Sequence, residues 1–176
     1  MSSLTLQELN SMITVGMGDY KVTNGRNKLI TRDLGSCMGI AMWDSQTEIG
    51  GLLHIMLPQY VHNGFDDTVH YGMVNLAKYA DAGIDELVHT LVQRGAERKR
   101  LMAKIAGGAH MIACMVNSEA SDISSQNADA VRKKLRELGI PILAEAVGGH
   151  HPRTLIFDTT TGALRIITPG MADRVL

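Results

Sequence analysis

The stretch Thr31-Arg-Asp-Leu-Gly-Ser-Cys37-Met-Gly-Ile-Ala-Met42, followed by Gly50-Gly-Leu-Leu-His54-Ile-Met-Leu-Pro58, decides the fold and the chemistry expected of this chain. Met38 to Trp43 and Leu52 to Leu57 are almost wholly apolar, which is typical of strands covered on both faces. The polar residues 44–48 between them predict a hairpin-like turn. The sequence therefore places a cysteine at the start of one strand and a histidine inside its neighbour.

A thiol and an imidazole on neighbouring strands are the minimum parts of a cysteine hydrolase. The thiol attacks the substrate, and the imidazole accepts and donates the proton. Gly35 and Ser36 form a turn whose backbone N–H groups can hold an oxyanion beside Cys37 and favour its thiolate. Thr31 can orient the second ring nitrogen of His54 through its hydroxyl or carbonyl. The alternative is structural: a small buried thiol, a hydrogen-bonded core histidine and a strand threonine.

Composition favours one globular domain, 1–176, with residues 1–11 as a polar peripheral segment. The 176 residues are 45% hydrophobic and 20% charged, and the net charge of -1 excludes a broad basic field for nucleic acid or an anionic membrane. The 11 methionines indicate flexible core packing or, as an alternative, a groove for a helical partner. Two cysteines make no disulfide framework. With no signal segment or apolar span in the sequence, we expect a cytoplasmic protein.

The remaining pattern predicts a mixed sheet with packed helices rather than a regular βαβ winding. Further strands are expected at 12–23 and 28–33 around a turn at 23–27, at 101–106, and near 141–147, 153–158 and 163–168. A first helix is indicated by Val69, Met73, Leu76 and Ala80 after the caps Asp66 and Asp67, and a second by Ile84, Leu87, Val88, Leu91 and Val92 before Gly95. A third is indicated by Ala128, Val131, Leu135 and Leu138, with Ser125 or Asn127 as its cap and Gly139 and Pro141 as its stop.

Over about residues 12–168 the sequence resembles the CheD family of bacterial and archaeal chemotaxis proteins. The resemblance rests on Leu34–Cys37, Gly50-Gly51 before His54, Lys104–Ala109, Gln126-Asn127, and Gly148-Gly149 before Arg153. It departs where the usual Gly-x-Arg-Asn reads Ser124-Ser125-Gln126-Asn127, and where Pro152 replaces a glycine. The resemblance implies an α+β fold, a layered α/β/α sandwich with a mixed, largely antiparallel sheet, similar to the cytotoxic-necrotizing-factor-like cysteine hydrolases.

The resemblance also implies an activity. CheD proteins are chemoreceptor glutamine deamidases that convert receptor glutamines to glutamates, and some hydrolyse receptor glutamyl methyl esters. The family's catalytic residues match Cys37, His54 and Thr31, and the chemistry passes through a cysteine thioester without metal or organic cofactor. Its members use methyl-accepting chemotaxis receptors as substrates and bind the phosphatase CheC. A receptor helix would need a concave strip, for which Gly50, Gly51, Gly107 and Gly108 are candidates; tight turns are the alternative use of these glycines.

Two rival functions stay open at this point. The chain could act as a non-catalytic or weakly catalytic binding module that regulates CheC. It could also hold zinc, because His110 and Cys114 stand four residues apart and Cys37 and His54 would complete four ligands, although no Cys-x-x-Cys is present. A further cluster, His150-His151 beside Arg153, is either a contact for an acidic partner or a solvated loop.

Overall fold

The structure is a computed structural model that describes residues 11–60, 75–111 and 119–176, with the side chains of 119–122 left out. Its strands are β1 (Ile13–Thr14), β2 (Asp19–Thr23), β3 (Leu29–Leu34), β4 (Met38–Asp44), β5 (Ile49–Ile55), β6 (Met102–Gly107), β7 (Ile142–Val147), β8 (Arg153–Asp158), β9 (Ala163–Ile167) and β10 (Arg174–Val175). The helices are α1 (Ala80–Gln93) and α2 (Glu119–Glu137), with short 3₁₀ turns at Leu76–Lys78 and Arg98–Arg100.

In the described residues these strands form two five-stranded sheets. Sheet I has the order β1-β3-β8-β9-β10, and sheet II has the order β2-β5-β4-β6-β7. The predicted hairpin is confirmed, since β4 pairs antiparallel with β5 from Met38↔Ile55 to Asp44↔Ile49. Every residue of β4 is buried, as its unbroken apolarity predicts for a central strand covered on both faces.

The core lies on both faces of sheet II. Met38, Ile40 and Met42 of β4 belong to an apolar cluster with α1 and α2, through residues such as Ile84, Leu87, Val131 and Leu135. The alternate residues Ala41 and Trp43 face the other way, into a cluster with Leu155, Phe157, Leu164 and Ile166 of sheet I. The period-two alternation of a strand thus divides one apolar run between two packing partners.

The expected α+β class with mixed, largely antiparallel pairing is confirmed: β1–β3 and β6–β7 are parallel, and the other pairs are antiparallel. The layers in the described residues run helices, sheet II, sheet I. A second sheet, rather than further helices, therefore covers the far face of sheet II. The cause is the chain after Arg153, where β8 supplies the buried run Leu155–Phe157 and β9 supplies the buried residues Leu164 and Ile166.

The single strand predicted at 12–23 is wrong. This segment makes β1 in sheet I and β2 in sheet II, and the two are separated at residues 15–18. Gly18 has φ +62°, a left-handed conformation that ends an extended run and that glycine adopts without strain. Its N–H donates to the carbonyl of His54 at 2.8 Å. The turn therefore carries the chain from one sheet to the other beside the strand that bears the histidine.

Two helix predictions also need correction. Val69 and Met73 of the first predicted helix lie outside the described residues; Leu76 lies in a 3₁₀ turn, and Tyr79, in extended conformation, separates that turn from α1. The third predicted helix already runs from Glu119, so Ser125 and Asn127 are interior residues and not caps. Short polar residues favour caps because they bond their own backbone, but Asn127 bonds the carbonyls of Ser36 and Met56, in two distant loops, instead. Across the described part of the chain, no helix has the length and apolarity that a membrane crossing requires.

Candidate active site

Cys37 lies where the chain crosses from one sheet to the other. The chain leaves β3 of sheet I at Leu34, bends through residues 35–37 and enters β4 of sheet II at Met38. A bulge precedes this crossing: Thr31 pairs with Leu155 and Leu34 with Arg153, so β3 carries one residue more than β8. Bulges re-aim side chains near active sites. Here the bulge leaves Thr31 and Leu34 buried while the two residues between them are exposed.

Thr31 and His54 form a buried hydrogen bond between the two sheets. Thr31 Oγ1 lies 2.7 Å from His54 Nδ1, and the two residues are 0% and 1% exposed. Nε2 on the other side of the ring is buried and has no hydrogen-bond partner in the described structure. The ring is thus held by one nitrogen and has the other available for proton transfer.

Strand register relates Cys37 to His54. Gly39 of β4 pairs directly with His54 of β5, and Cys37 lies in the bend two residues before Gly39, so the loop of Cys37 adjoins the part of the strand pair that carries the histidine. A side chain at Gly39 would overlap Leu155 of sheet I, so glycine at this position lets the sheets approach closely on the face that carries the histidine.

Burial sets the charges of the thiol and the imidazole. It raises the pKa of Cys37, and the backbone N–H of Cys37 itself opposes this shift more weakly. Burial also lowers the pKa of His54 to about 4, because imidazolium loses its hydration inside the protein. The resting pair at pH 7 is therefore a neutral thiol and a neutral imidazole. Cys37 is partly buried, whereas Thr31 and His54 are fully buried.

The backbone around Cys37 is fixed by hydrogen bonds from two other elements. Gly108 N–H donates to the Cys37 carbonyl at 2.8 Å, and Ala109 N–H donates to the Gly35 carbonyl at 2.8 Å. Asn127 Nδ2 donates to the Ser36 carbonyl at 2.9 Å. Sequence reasoning treated Asn127 as a cap and missed this contact. A usable signal was present, since Asn127 lies four residues before Val131, on the apolar face of its helix.

The four candidate groove glycines separate into two pairs. Gly50 and Gly51 are buried away from Cys37, and a Cβ there would come within 2.6 Å of Thr159 and Leu87 respectively; they do not line an open strip in this structure. Gly107 and Gly108 adjoin the nucleophile loop. A Cβ on Gly107, whose φ is +128°, would overlap the Cys37 carbonyl. This pair lets β6 approach the loop.

The remaining candidates lie outside this arrangement. Cys114 of the zinc alternative falls outside the described residues, and no group of three His, Cys, Asp or Glu within the described ranges is placed to hold a metal. Arg153 of the predicted surface cluster turns inward, where its guanidinium donates to the carbonyls of Gly107, Ala146 and Gly148. It supports the glycine turn behind the loop.

Comparison with known proteins gives concordant results. The family described as "CheD chemotactic sensory transduction" matches residues 56–168. A "Probable chemoreceptor glutamine deamidase CheD" of Clostridium botulinum is 44% identical over 162 residues, covering 92% of this chain and 96% of the relative. A protein of the same name from Clostridium novyi is 43% identical over 164 residues, covering 93% and 97%.

Among solved structures, the "hypothetical protein YfiH" of Bacillus licheniformis aligns with a TM-score of 0.43 and 15% identity, over 73% of this chain and 49% of that one. A likeness of this size identifies neither a function nor a site.

Proposed function

Because this chain belongs to the CheD family, we propose that it is a chemoreceptor glutamine deamidase with Cys37 as nucleophile, His54 as proton carrier and Thr31 as the residue that orients the ring. The observation that carries this assignment is the buried Thr31–His54 bond beside the loop of Cys37. It leaves Nε2 unpartnered within the described structure, and His54 pairs with Gly39, two residues after the thiol. We place the reaction in the cytoplasm, where a free thiol persists.

The first half of the reaction forms a thioester. As the Cys37 sulfur attacks the carbonyl carbon of a receptor glutamine, its proton passes to Nε2 of His54. Nε2 can accept this proton when the ring carries its hydrogen on Nδ1, which then donates to Thr31 Oγ1. The backbone N–H of Cys37 and its neighbours hold the oxyanion. The imidazolium then protonates the leaving nitrogen, the C–N bond breaks and ammonia departs.

The second half hydrolyses the thioester. Water gives a proton to Nε2 of His54 and attacks the acyl carbon, the C–S bond breaks, and the sulfur recovers the proton. The sum is glutamine plus water giving glutamate plus ammonium, since the proton of the new carboxylic acid is taken up by ammonia. The same steps on a receptor glutamyl methyl ester would release methanol, and we include this reaction in the proposal.

We also propose that the phosphatase CheC binds this chain, as the family resemblance implies. A chain acting mainly as a CheC-binding module would not need the thiol and imidazole together. Binding of CheC should be equal for the wild type and Cys37→Ala, whereas deamidation should be lost. A variant that loses both would place Cys37 in the binding surface and count against its role as nucleophile.

The proposal is tested by incubating the protein with receptors from its own organism and mapping glutamine-to-glutamate conversion by peptide mass. Reaction in water enriched in heavy oxygen should place solvent oxygen in the new carboxylate. Wild type and Cys114→Ala should convert the same glutamines, while Cys37→Ala should convert none above background. Undiminished conversion by folded Cys37→Ala would exclude Cys37 as the nucleophile, and loss in Cys114→Ala would revive the zinc alternative.

A further inference from the structure

We infer that Asn127 is the positioning residue of this site: its side-chain amide orients the peptide between Ser36 and Cys37 so that the Cys37 N–H faces the oxyanion. This inference rests on the proposed function, because it assigns a role within the same reaction. Asn127 lies inside α2 and is 0% exposed. It reaches the site from the helical layer, on the side of sheet II opposite sheet I.

The amide of Asn127 links the loop of Cys37 to the residue that follows β5, the strand of His54. Nδ2 donates to the Ser36 carbonyl at 2.9 Å and to the Met56 carbonyl at 3.0 Å. Ser36 immediately precedes Cys37, and Met56 follows His54 by two residues. Both protons of a single NH2 group are therefore used to fix the nucleophile loop against the end of β5. A carboxylate or an aliphatic side chain cannot make this pair of bonds.

Peptide planarity converts this anchor into an orientation. The C=O of one residue and the N–H of the next point in opposite directions across a trans peptide. Because Asn127 holds the Ser36 carbonyl toward α2, the Cys37 N–H is directed away from α2 and toward the thiol. In agreement, this N–H acts to lower the pKa of its own residue's thiol. The following carbonyl, that of Cys37, is held by Gly108 N–H, so both peptides at the nucleophile have fixed directions.

The remaining atom of the amide argues against a purely stabilising role. Asn127 Oδ1 is buried without a hydrogen-bond partner in the described structure, and such an atom is destabilising. Its helix neighbours Ala128, Val131 and Leu135 are apolar and buried. An apolar residue of similar volume would not bury an unpaired oxygen, but it would leave the Ser36 carbonyl without its hydrogen bond. The two hydrogen bonds that its NH2 group donates therefore explain why an asparagine occupies this position.

The test compares Asn127→Leu, which keeps the volume, and Asn127→Ala with the control Asp44→Asn. Asp44 is buried at the far end of β4, where it binds Arg100, so the control weakens a polar contact remote from Cys37. Rates are normalised to the folded fraction. We expect kcat to fall about 10²- to 10³-fold in the Asn127 variants, as for loss of one oxyanion donor, with KM changed less than about threefold. Asp44→Asn should lower the melting temperature but keep kcat.

A transition-state analogue provides a second readout. A receptor peptide with an aldehyde in place of the target amide forms a tetrahedral adduct with the thiol, and its affinity should fall by the same factor as kcat/KM. Normal kcat and aldehyde affinity in folded Asn127→Leu would overturn the inference. An equal loss of kcat in Asp44→Asn would do the same, because it would show a general effect of instability.

One measurement needs neither a variant nor activity. In the wild type, both side-chain NH2 protons of Asn127 should exchange with solvent slowly in NMR spectra, because each is buried and bonded. Rapid exchange would overturn the inference even if deamidation is observed. Slow exchange without any deamidation would contradict the proposed function and leave the anchor intact. If neither Asn127 variant folds, this exchange measurement alone tests whether Asn127 anchors the nucleophile loop.

Discussion

At the residue scale, the bond between Thr31 and His54 governs which ring nitrogen can take a proton. Thr31→Val keeps the shape of the buried side chain but removes the oxygen 2.7 Å from Nδ1. We expect kcat for glutamine deamidation to fall about 10²-fold, the lower part of the range for lost general acid–base help. Thr31→Ser keeps the hydroxyl and should remain within a few-fold of the wild type. Equal rates for the valine and serine variants would show that the hydroxyl does not orient His54.

Burial of His54 also predicts a pH dependence of folding. Its pKa is about 4 in the folded state and about 6.5 in an unfolded chain. Between these values the unfolded state binds a proton that the folded state does not, so the free energy of unfolding rises with pH. The contribution is fully present above pH 6.5 and is lost as pH falls toward 4.

The matched comparison is His54→Gln, which does not titrate. From about pH 7 to about pH 4.5, the wild type should lose roughly 2–3 kcal/mol more unfolding free energy than the variant, at about 1.4 kcal/mol per pKa unit. Urea titrations at both pH values measure this difference. Parallel losses in the two proteins would mean that His54 titrates normally in the folded state.

Residue identity and spacing were enough to select Thr31, Cys37 and His54 as candidates, because they lie within one short stretch with interpretable strand patterns. Asn127 could not be assigned in this way. Its bonding partners lie 91 and 71 residues away along the chain, and neither distance is visible in local periodicity. A polar residue on an apolar helix face signals a buried partner, but the sequence does not say which one.

At the element scale, the close approach of β6 to the nucleophile loop depends on a glycine. Gly107→Ala would place a methyl group against the Cys37 carbonyl at φ +128°. Gly139→Ala is the matched control, since its φ is +69° but no atom lies within 4 Å of the new methyl group. Gly139→Ala should cost about 1–2 kcal/mol of unfolding free energy through backbone strain alone and leave kcat unchanged.

Gly107→Ala should cost more than the control and should also lower kcat, because the displaced carbonyl belongs to Cys37. Denaturant titration and deamidation rates of the folded variants separate these effects. If the two variants lose equal stability and both retain the wild-type kcat, the Gly107 contact does not position the loop.

The packing of the two sheets likewise requires a glycine at position 39. Gly39→Ala forces a methyl group into Leu155, and overpacking of this kind costs typically about 1–3 kcal/mol. Gly16→Ala has no atom within 4 Å of the added methyl group and should change the unfolding free energy by less than about 0.5 kcal/mol. Thermal or urea unfolding of both variants checks this pair. A mild effect at Gly39 would show that the sheets can separate without loss of the core.

Element prediction succeeded where the pattern was local. Two apolar runs separated by the polar residues 44–48 predicted the hairpin of β4 and β5, and the structure closes it through the four residues 45–48. It failed at 12–23, where a glycine turn transfers the chain between sheets, and at the start of α2, where Ser125 and Asn127 imitate a cap. In both places tertiary contacts override a reasonable local expectation.

At the scale of the whole molecule, the candidate site lies at the boundary between two packed sheets. Thr31 comes from sheet I, His54 from sheet II, and Cys37 from the crossing between them. Composition and patterning favour an α+β fold, but the sequence patterns of the strands after Arg153 do not indicate which sheet those strands join. The second sheet is decided by side-chain complementarity between faces, and that becomes visible only in three dimensions.

The central claim is that the thiol of Cys37 and the imidazole of His54 act as one unit across this boundary. The most direct measurement is a double-mutant cycle on the deamidation rate, using Cys37→Ala, His54→Gln and the double variant. We expect both single variants to fall to the same residual rate, with no further loss in the double variant, because residues of one catalytic unit are strongly non-additive. A His54→Gln enzyme close to the wild-type rate, or losses that multiply independently, would contradict the claim.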